Sequence, residues 1–147
     1  MAVRVLFVED DPYRMDVFNK DLFKDDQVHW AKDAKDGIRA LQRNTYDLVM
    51  LDHDLADAHY KDLDAAANHA EGTGRDVAKF MVTMENPPPF AFVHSWNPGG
   101  ALAIGDILTE GGINNFVAPF GSDILKAGVV QYRALFDKNN ARTDTGE

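Results

Sequence analysis

Residues 48–55 have the sequence LVMLDHDL, in which an apolar run passes directly into two aspartates and a histidine. A short, continuous apolar run is typical of a strand that is buried on both faces of a parallel sheet. The carboxyl ends of such strands are where α/β proteins place their ligands. The stretch therefore predicts a class of fold and, at Asp52, His53 and Asp54, a candidate site.

The rest of the chain repeats this alternation of apolar runs and helical patterns. Strands are predicted at residues 3–8, 28–31, 48–51, 90–93 and 115–118. Helices are predicted at about 11–24, 33–44, 73–86, 98–110 and 122–136, with the prolines at 87–89 ending the third. Strict alternation predicts an α/β, flavodoxin-like (βα)5 three-layer sandwich with a parallel sheet of order 2-1-3-4-5.

Helical spacing also predicts which side chains face the core. In the last helix the expected inward residues are Ile124, Leu125, Val129 and Leu135, and the apolar residues of the helix before it are Leu102, Ile104, Ile107 and Leu108. We expect one domain over residues 1–137 and a polar C-terminal tail over residues 138–147.

Composition limits the classes of protein to which the chain could belong. Its 147 residues contain no cysteine, which excludes disulfides, thiolate metal sites and cysteine nucleophiles. The net charge of −9 comes without a basic cluster, so nonspecific nucleic-acid binding is not expected. With no signal-sequence pattern and no apolar run near the ~20 residues that span a bilayer, we expect a cytoplasmic protein without a membrane partner.

The predicted strand order brings three polar segments together. Strands 1, 3 and 4 are neighbours, and the segments at their carboxyl ends are Glu9-Asp10-Asp11, Asp52-His53-Asp54 and His94-Ser95-Trp96-Asn97. Gathered carboxylates repel one another unless a cation lies among them. The segments therefore predict a divalent metal, with Mg²⁺ or Mn²⁺ favoured and Zn²⁺ as the alternative that the imidazoles suggest. Helix capping is the competing interpretation of Asp11 and Asn97.

A phosphate site is predicted at the start of the third helix. Thr73, Gly74 and Arg75 combine free backbone N–H groups and the helix dipole with a guanidinium fork. Ser95 and Asn97 are the further candidates for contacts with a substrate. A capping box without any ligand is the competing interpretation of the helix start.

Several of these residues resemble those of a known family. Over residues 2 to about 137 the chain resembles the response-regulator receiver domain, through the acidic pair Glu9-Asp10, an aspartate at the phospho-acceptor position, Asp52, and Ser95. Such receivers carry a lysine before a proline at the end of strand 5, where this chain has Ala118-Pro119. The resemblance to an ordinary phosphorylation switch is therefore incomplete.

A more specific resemblance is to the cyclic-phosphate processing receiver domain. LDHDL at residues 51–55, Thr73-Gly74 and HSWNP at residues 94–98 are similar to the hallmarks of that group. The resemblance implies a metal-assisted or histidine-assisted site for a cyclic phosphate, either a cyclic nucleotide or a 2′,3′-cyclic end.

Residues and resemblance together give the leading hypothesis, a phosphoesterase-like or cyclic-phosphate-binding protein. Asp10, Asp52 and Glu9 are expected to hold the metal, which polarises the phosphoryl oxygens. Asp52 also belongs to the predicted catalytic set, in which His53 and His94 act as general base and acid while Asp54 orients an imidazole. The expected partner is a cyclic nucleotide or another small phosphorylated ligand, with a homodimer as one option.

Two alternatives from other classes remain. The first is a degenerate response-regulator receiver that is phosphorylated on Asp52 and acts in signalling. The second is a non-catalytic protein that sequesters a phosphorylated ligand or a partner.

Overall fold

Five parallel strands form one sheet at the centre of the molecule. The computed structural model describes residues 3–9, 13, 16, 26–52, 74–94, 98–118 and 123–144. The strands are β1 (Arg4–Val8), β2 (Gln27–Ala31), β3 (Leu48–Asp52), β4 (Phe90–His94) and β5 (Asn114–Ala118). Their order is β2-β1-β3-β4-β5 and every pair is parallel, which confirms the predicted flavodoxin-like sheet.

Four helices connect or follow these strands in the described part of the chain. They are α1 (Ala34–Arg43), α2 (Gly74–Met81), α3 (Pro98–Glu110) and α4 (Asp123–Asp144). Tyr13 and Asp16 are helical, and the rest of the helix predicted at residues 11–24 lies outside the described residues. None of the described helices is long and apolar enough to cross a bilayer.

Alternating side chains of the strands build a core on each face of the sheet. Leu6 and Val8 face a cluster that α1, α2 and α3 cover, with Val77 and Ile104 among its members. Val5, Phe7, Met50 and Phe92 face the opposite cluster, which α4 covers through Leu125 and Val129. Because both faces of the sheet are covered, the three central strands β1, β3 and β4 are almost entirely apolar between their ends. The edge strands β2 and β5 are less buried and carry polar residues such as His29 and Asn115.

The predicted inward face of the last helix is partly wrong. Leu125 and Val129 are buried as predicted, but Ile124 and Leu135 are 64% and 55% exposed. Tyr132 and Phe136 pack against the core in their place, so the inward stripe of α4 is Leu125, Val129, Tyr132 and Phe136. The helix also continues to Asp144, beyond the predicted end at residue 136.

Helix α2 ends at Met81, whereas the prolines at residues 87–89 predicted an end near residue 86. After Met81 the backbone hydrogen bonds span three residues instead of four. The Thr83 N–H donates to the Phe80 carbonyl (3.0 Å), and the Met84 N–H donates to the Met81 carbonyl (3.1 Å). The Thr83 hydroxyl donates to the same Phe80 carbonyl at 2.6 Å. These bonds satisfy the last carbonyls of the helix without a further helical turn.

Candidate functional site

Three polar side chains lie side by side across the carboxyl edge of the sheet. Asp52 is the last residue of β3 and pairs in register with His94, the last residue of β4. Glu9 directly follows β1, whose Val8 pairs with Leu51. The sequence places Asp52 and His94 just past their strands, whereas the structure includes both within the strands.

The three side chains also share one face of the sheet. Alternate residues of a strand point to the same side, so Glu9 shares the side of Phe7, and His94 that of Phe92. Phe7 packs against the imidazole of His94, with ring centroids 5.3 Å apart and planes tilted by 52°. The imidazole of His94 therefore packs against an aromatic ring at the edge of the core.

The geometry of this cluster suits a metal ion. One ligand atom from each of Glu9, Asp52 and His94 lies within 4.8 Å of the others, and all three residues are fully buried. Two carboxylates beside one imidazole are oxygen and nitrogen donors for a divalent cation, and the imidazole shifts the preference from Mg²⁺ toward Mn²⁺ or Zn²⁺. Burial of such charged groups is costly unless a counter-charge compensates it. The donor set therefore fits the predicted cofactor.

The start of α2 contacts the same edge of the sheet. A Cβ atom built on Gly74 would lie 2.2 Å from the backbone oxygen of Asp52. Only glycine allows this approach, because any other side chain would push the helix away from the strand. Gly74 was predicted as a phosphate-contacting residue, and the structure adds that it lets α2 begin directly against Asp52. Arg75, the next residue, is exposed.

Sequence reasoning did not single out Trp30 of β2. Its indole Nε1–H donates to the backbone carbonyl of Glu9 at 2.5 Å. Trp30 pairs in register with Phe7. The signal available in the sequence is that Trp30 lies near the end of the strand beside β1, but the apolar pattern alone suggests only a packed side chain.

The other predicted site residues lie outside the described part of the chain. They are Asp10, His53, Asp54, Thr73, Ser95 and Asn97. Their predicted roles stay predictions. Of the predicted metal and catalytic residues, the described part brings together Glu9, Asp52 and His94, with Gly74 at their border.

A separate cleft of about 900 Å³ opens at the amino edge of the sheet, far along the strands from the cluster. Its lining includes Arg4, Tyr46 and Asp47. The Asp47 carboxylate is already bonded to the guanidinium of Arg4, from Arg4 Nη2 to Asp47 Oδ1 at 3.1 Å. The carboxyl edge, which gathers charged donors for a ligand, is therefore the candidate site.

The family of the chain is evident from its sequence. The model of the cyclic-phosphate processing receiver domain matches residues 4–110, which include β1 to α3 and the three clustered residues. The chain belongs to this family. No curated protein matches this receiver domain.

Solved structures confirm the receiver fold. A CheY-like receiver domain from Methanospirillum hungatei matches with a TM-score of 0.67 at 14% identity, covering 97% of this chain and 99% of that one. A sensor histidine kinase receiver domain from Pseudomonas aeruginosa matches with 0.60 at 14% identity, covering 90% and 97%; its structure has a magnesium ion coordinated in the active-site cleft. The receiver of a LuxO repressor from Vibrio parahaemolyticus matches with 0.62 at 19% identity, covering 94% and 96%.

Proposed function

We propose that this receiver domain binds a divalent metal at Glu9, Asp52 and His94 and processes a cyclic phosphate there. The observation that supports the proposal is the convergence of two carboxylates and an imidazole, all buried and within 4.8 Å, at the ends of three adjacent strands. Asp10, which follows Glu9 in the sequence, is proposed as a further ligand. The family to which the chain belongs supports a cyclic phosphate as the ligand class.

In this proposal the protein residues have separate tasks. A bound divalent cation would polarise a phosphoryl oxygen. Glu9 and Asp52 supply the negative charge that holds the cation. His94 adds a nitrogen donor, and its ring packs against Phe7. Because His94 then serves as a ligand, proton transfer to or from the substrate falls to His53, with Asp54 setting its tautomer.

The position of α2 suits the anionic part of a substrate. Gly74 begins the helix against the backbone of Asp52, so the first turn, whose N–H groups have no partner within the helix itself, starts at the same edge of the sheet as the metal cluster. Arg75 is exposed and adds a cation beside them. We propose that Thr73, Gly74 and Arg75 contact the phosphate, together with Ser95 and Asn97.

The proposal is tested by incubating the protein with 2′,3′-cyclic AMP or 3′,5′-cyclic AMP and Mn²⁺, Zn²⁺ or Mg²⁺, with the products separated by chromatography. We expect turnover that EDTA abolishes. His94→Gln should lower Mn²⁺ affinity more than about 100-fold. Loss of a metal ligand should weaken binding more than loss of a residue that only hydrogen-bonds to a ligand, which costs about 10–100-fold. The matched control is His29→Gln, which removes an exposed histidine of β2 that is bonded to Tyr46. This variant should change neither the turnover nor the Mn²⁺ affinity.

A variant of His53 separates metal binding from proton transfer. His53→Ala should lose turnover while its Mn²⁺ affinity stays within about twofold of the wild type, because the imidazole acts on the substrate rather than on the metal. Isothermal titration measures the affinity. Wild-type protein that neither binds nor turns over these nucleotides with any of the three metals would refute the proposal.

A second candidate function is phosphorylation of Asp52. The position of Asp52 at the end of β3 in a receiver fold favours it. Against it, the residue that pairs in register with His94 on β5 is Ala118, at the place of the lysine that receivers carry. Acetyl phosphate with Mg²⁺ should add about 80 Da to Asp52 if this candidate holds. An unmodified mass would exclude self-phosphorylation from this donor.

A further inference from the structure

We infer that Trp30 positions Glu9 for metal binding, an inference that rests on the metal site proposed above. Trp30 belongs to β2, the edge strand beside β1. Its indole Nε1–H donates to the main-chain carbonyl of Glu9, which directly follows β1. The bond is additional to the regular backbone ladder between the two strands.

Strand β2 holds both peptide groups of Glu9. On the amino side, the Glu9 N–H donates to the Ala31 carbonyl at 3.0 Å. On the carboxyl side, the Glu9 carbonyl accepts from the Trp30 indole at 2.5 Å. The two peptide groups that flank a Cα atom determine the direction of its Cα–Cβ bond. The pair of bonds therefore fixes the direction of the Glu9 Cα–Cβ bond, from which the carboxylate reaches the cluster with Asp52 and His94.

The donor itself is held in place from two sides. One part of the Trp30 ring packs against the core cluster that contains Phe7. The ammonium group of Lys32 lies over the ring, 5.7 Å from its centroid. A cation at this distance is attracted to an indole face. Outer partners that bond the ligating group itself change metal affinity by about 10–100-fold. Trp30 bonds the backbone of a ligand residue, so we expect an effect at the lower end of that range.

The test compares Trp30→Phe with Val28→Ala. Phenylalanine keeps an aromatic ring at position 30 but lacks the N–H donor. Val28 lies on the same strand and packs against the same cluster, so Val28→Ala controls for lost packing. By isothermal titration, we expect Mn²⁺ to bind Trp30→Phe about tenfold more weakly than the wild type. Val28→Ala should bind within about twofold of the wild type.

A double variant distinguishes positioning from general destabilisation. In a Glu9→Gln background the carboxylate is absent, so adding Trp30→Phe should leave the remaining Mn²⁺ affinity unchanged. An equal further loss in that background would overturn the inference, because the effect would then not pass through Glu9. Unchanged Mn²⁺ affinity of Trp30→Phe, with a wild type that binds the metal, would also overturn it while leaving the proposed function intact.

The hydrogen bond can be measured without any metal. In ¹H–¹⁵N spectra of the metal-free wild type, we expect the Trp30 indole N–H to exchange slowly with solvent. The chain has two tryptophans, and the signal that remains in the Trp96→Phe variant belongs to Trp30. Fast exchange would overturn the inference independently of the metal site. A wild type without affinity for Mn²⁺, Zn²⁺ or Mg²⁺ would refute the proposed function, and this inference with it.

Discussion

At the scale of single residues, the charge of the site depends on two carboxylates held beside one imidazole. Glu9 and Asp52 are fully buried. Like charges gathered away from water destabilise the folded state unless a cation lies between them. We predict that Asp52→Asn raises the Tm of the metal-free protein by about 2–4 °C, equivalent to about 1 kcal/mol at this chain length.

The same substitution should remove the response to metal. Mn²⁺ at about 100 times its Kd stabilises a one-site protein by about 2.7 kcal/mol. We therefore expect the wild-type Tm to rise by several degrees and the Asp52→Asn Tm to stay constant. Differential scanning fluorimetry with EDTA or Mn²⁺ measures both effects. A metal-free Asp52→Asn protein that melts below the wild type would contradict the predicted repulsion.

At the scale of elements, the approach of α2 to β3 depends on one glycine. Alanine favours a helix over glycine by about 1 kcal/mol, but a Cβ atom at Gly74 would lie 2.2 Å from the Asp52 backbone oxygen. We predict that Gly74→Ala lowers the free energy of unfolding by about 1–3 kcal/mol, as overpacking of a core does. Urea denaturation measures this change.

Gly37 of α1 is the matched control for Gly74. A Cβ atom there would meet only side-chain atoms, the nearest being Val8 Cγ2 at 3.2 Å. Side chains yield more readily than a backbone carbonyl, so Gly37→Ala should cost less than Gly74→Ala. Equal losses would argue against a special contact between Gly74 and the end of β3.

The elements could be predicted from the sequence because their signal is local, and the strict alternation of strands and helices then indicated the strand order. The apolar run at residues 48–51 is too short for a helix and lies between polar segments, so it indicates a buried strand. The order of the strands then brought Glu9, Asp52 and His94 to one edge. Burial on the helices was predicted less well: α4 carries apolar residues on more than one side, and the spacing of Ile124 and Leu135 did not reveal which side faces the sheet.

Contacts between neighbouring strands could not be predicted in the same way. The bond from the Trp30 indole to the Glu9 carbonyl depends on the register of β2 against β1 and on the rotamer of one side chain. Neither property is encoded in a local pattern. The close contact between Gly74 and Asp52 likewise joins residues from separate elements. From the sequence, a glycine at a helix start indicated a phosphate site, and its packing against β3 could not be predicted.

At the scale of the whole molecule, metal donors and stabilising bonds lie at opposite edges of the sheet. The carboxyl edge has the cluster of Glu9, Asp52 and His94. At the amino edge, Asp47 accepts from Arg4 and its backbone carbonyl accepts from the Tyr132 hydroxyl at 2.9 Å. The second bond ties α4 to the start of β3. This arrangement allows changes at the amino edge to alter stability without altering the site.

Tyr132 should make the stability of the protein depend on alkaline pH. Burial, and then the charge of Asp47, raise the pKa of Tyr132 from 10.0 to about 12. Between pH 10 and 12 the unfolded chain therefore releases this proton while the folded chain retains it, so stability is complete below pH 10 and falls as pH rises. Because the side chain is only half-buried, the slope should be below the ~1.4 kcal/mol per pH unit of one fully linked group.

Replacing Tyr132 by phenylalanine isolates this contribution. Tyr132→Phe should cost about 1 kcal/mol at pH 7 through the lost hydrogen bond to Asp47. The difference in stability between wild type and variant should then shrink as pH rises from 10 to 12, because only the wild type carries the linked proton. Urea denaturation across this range measures the difference. Mn²⁺ affinity at pH 7 should be equal in both proteins, since Tyr132 lies at the edge opposite the cluster, and a tenfold change would contradict the separation of the two edges.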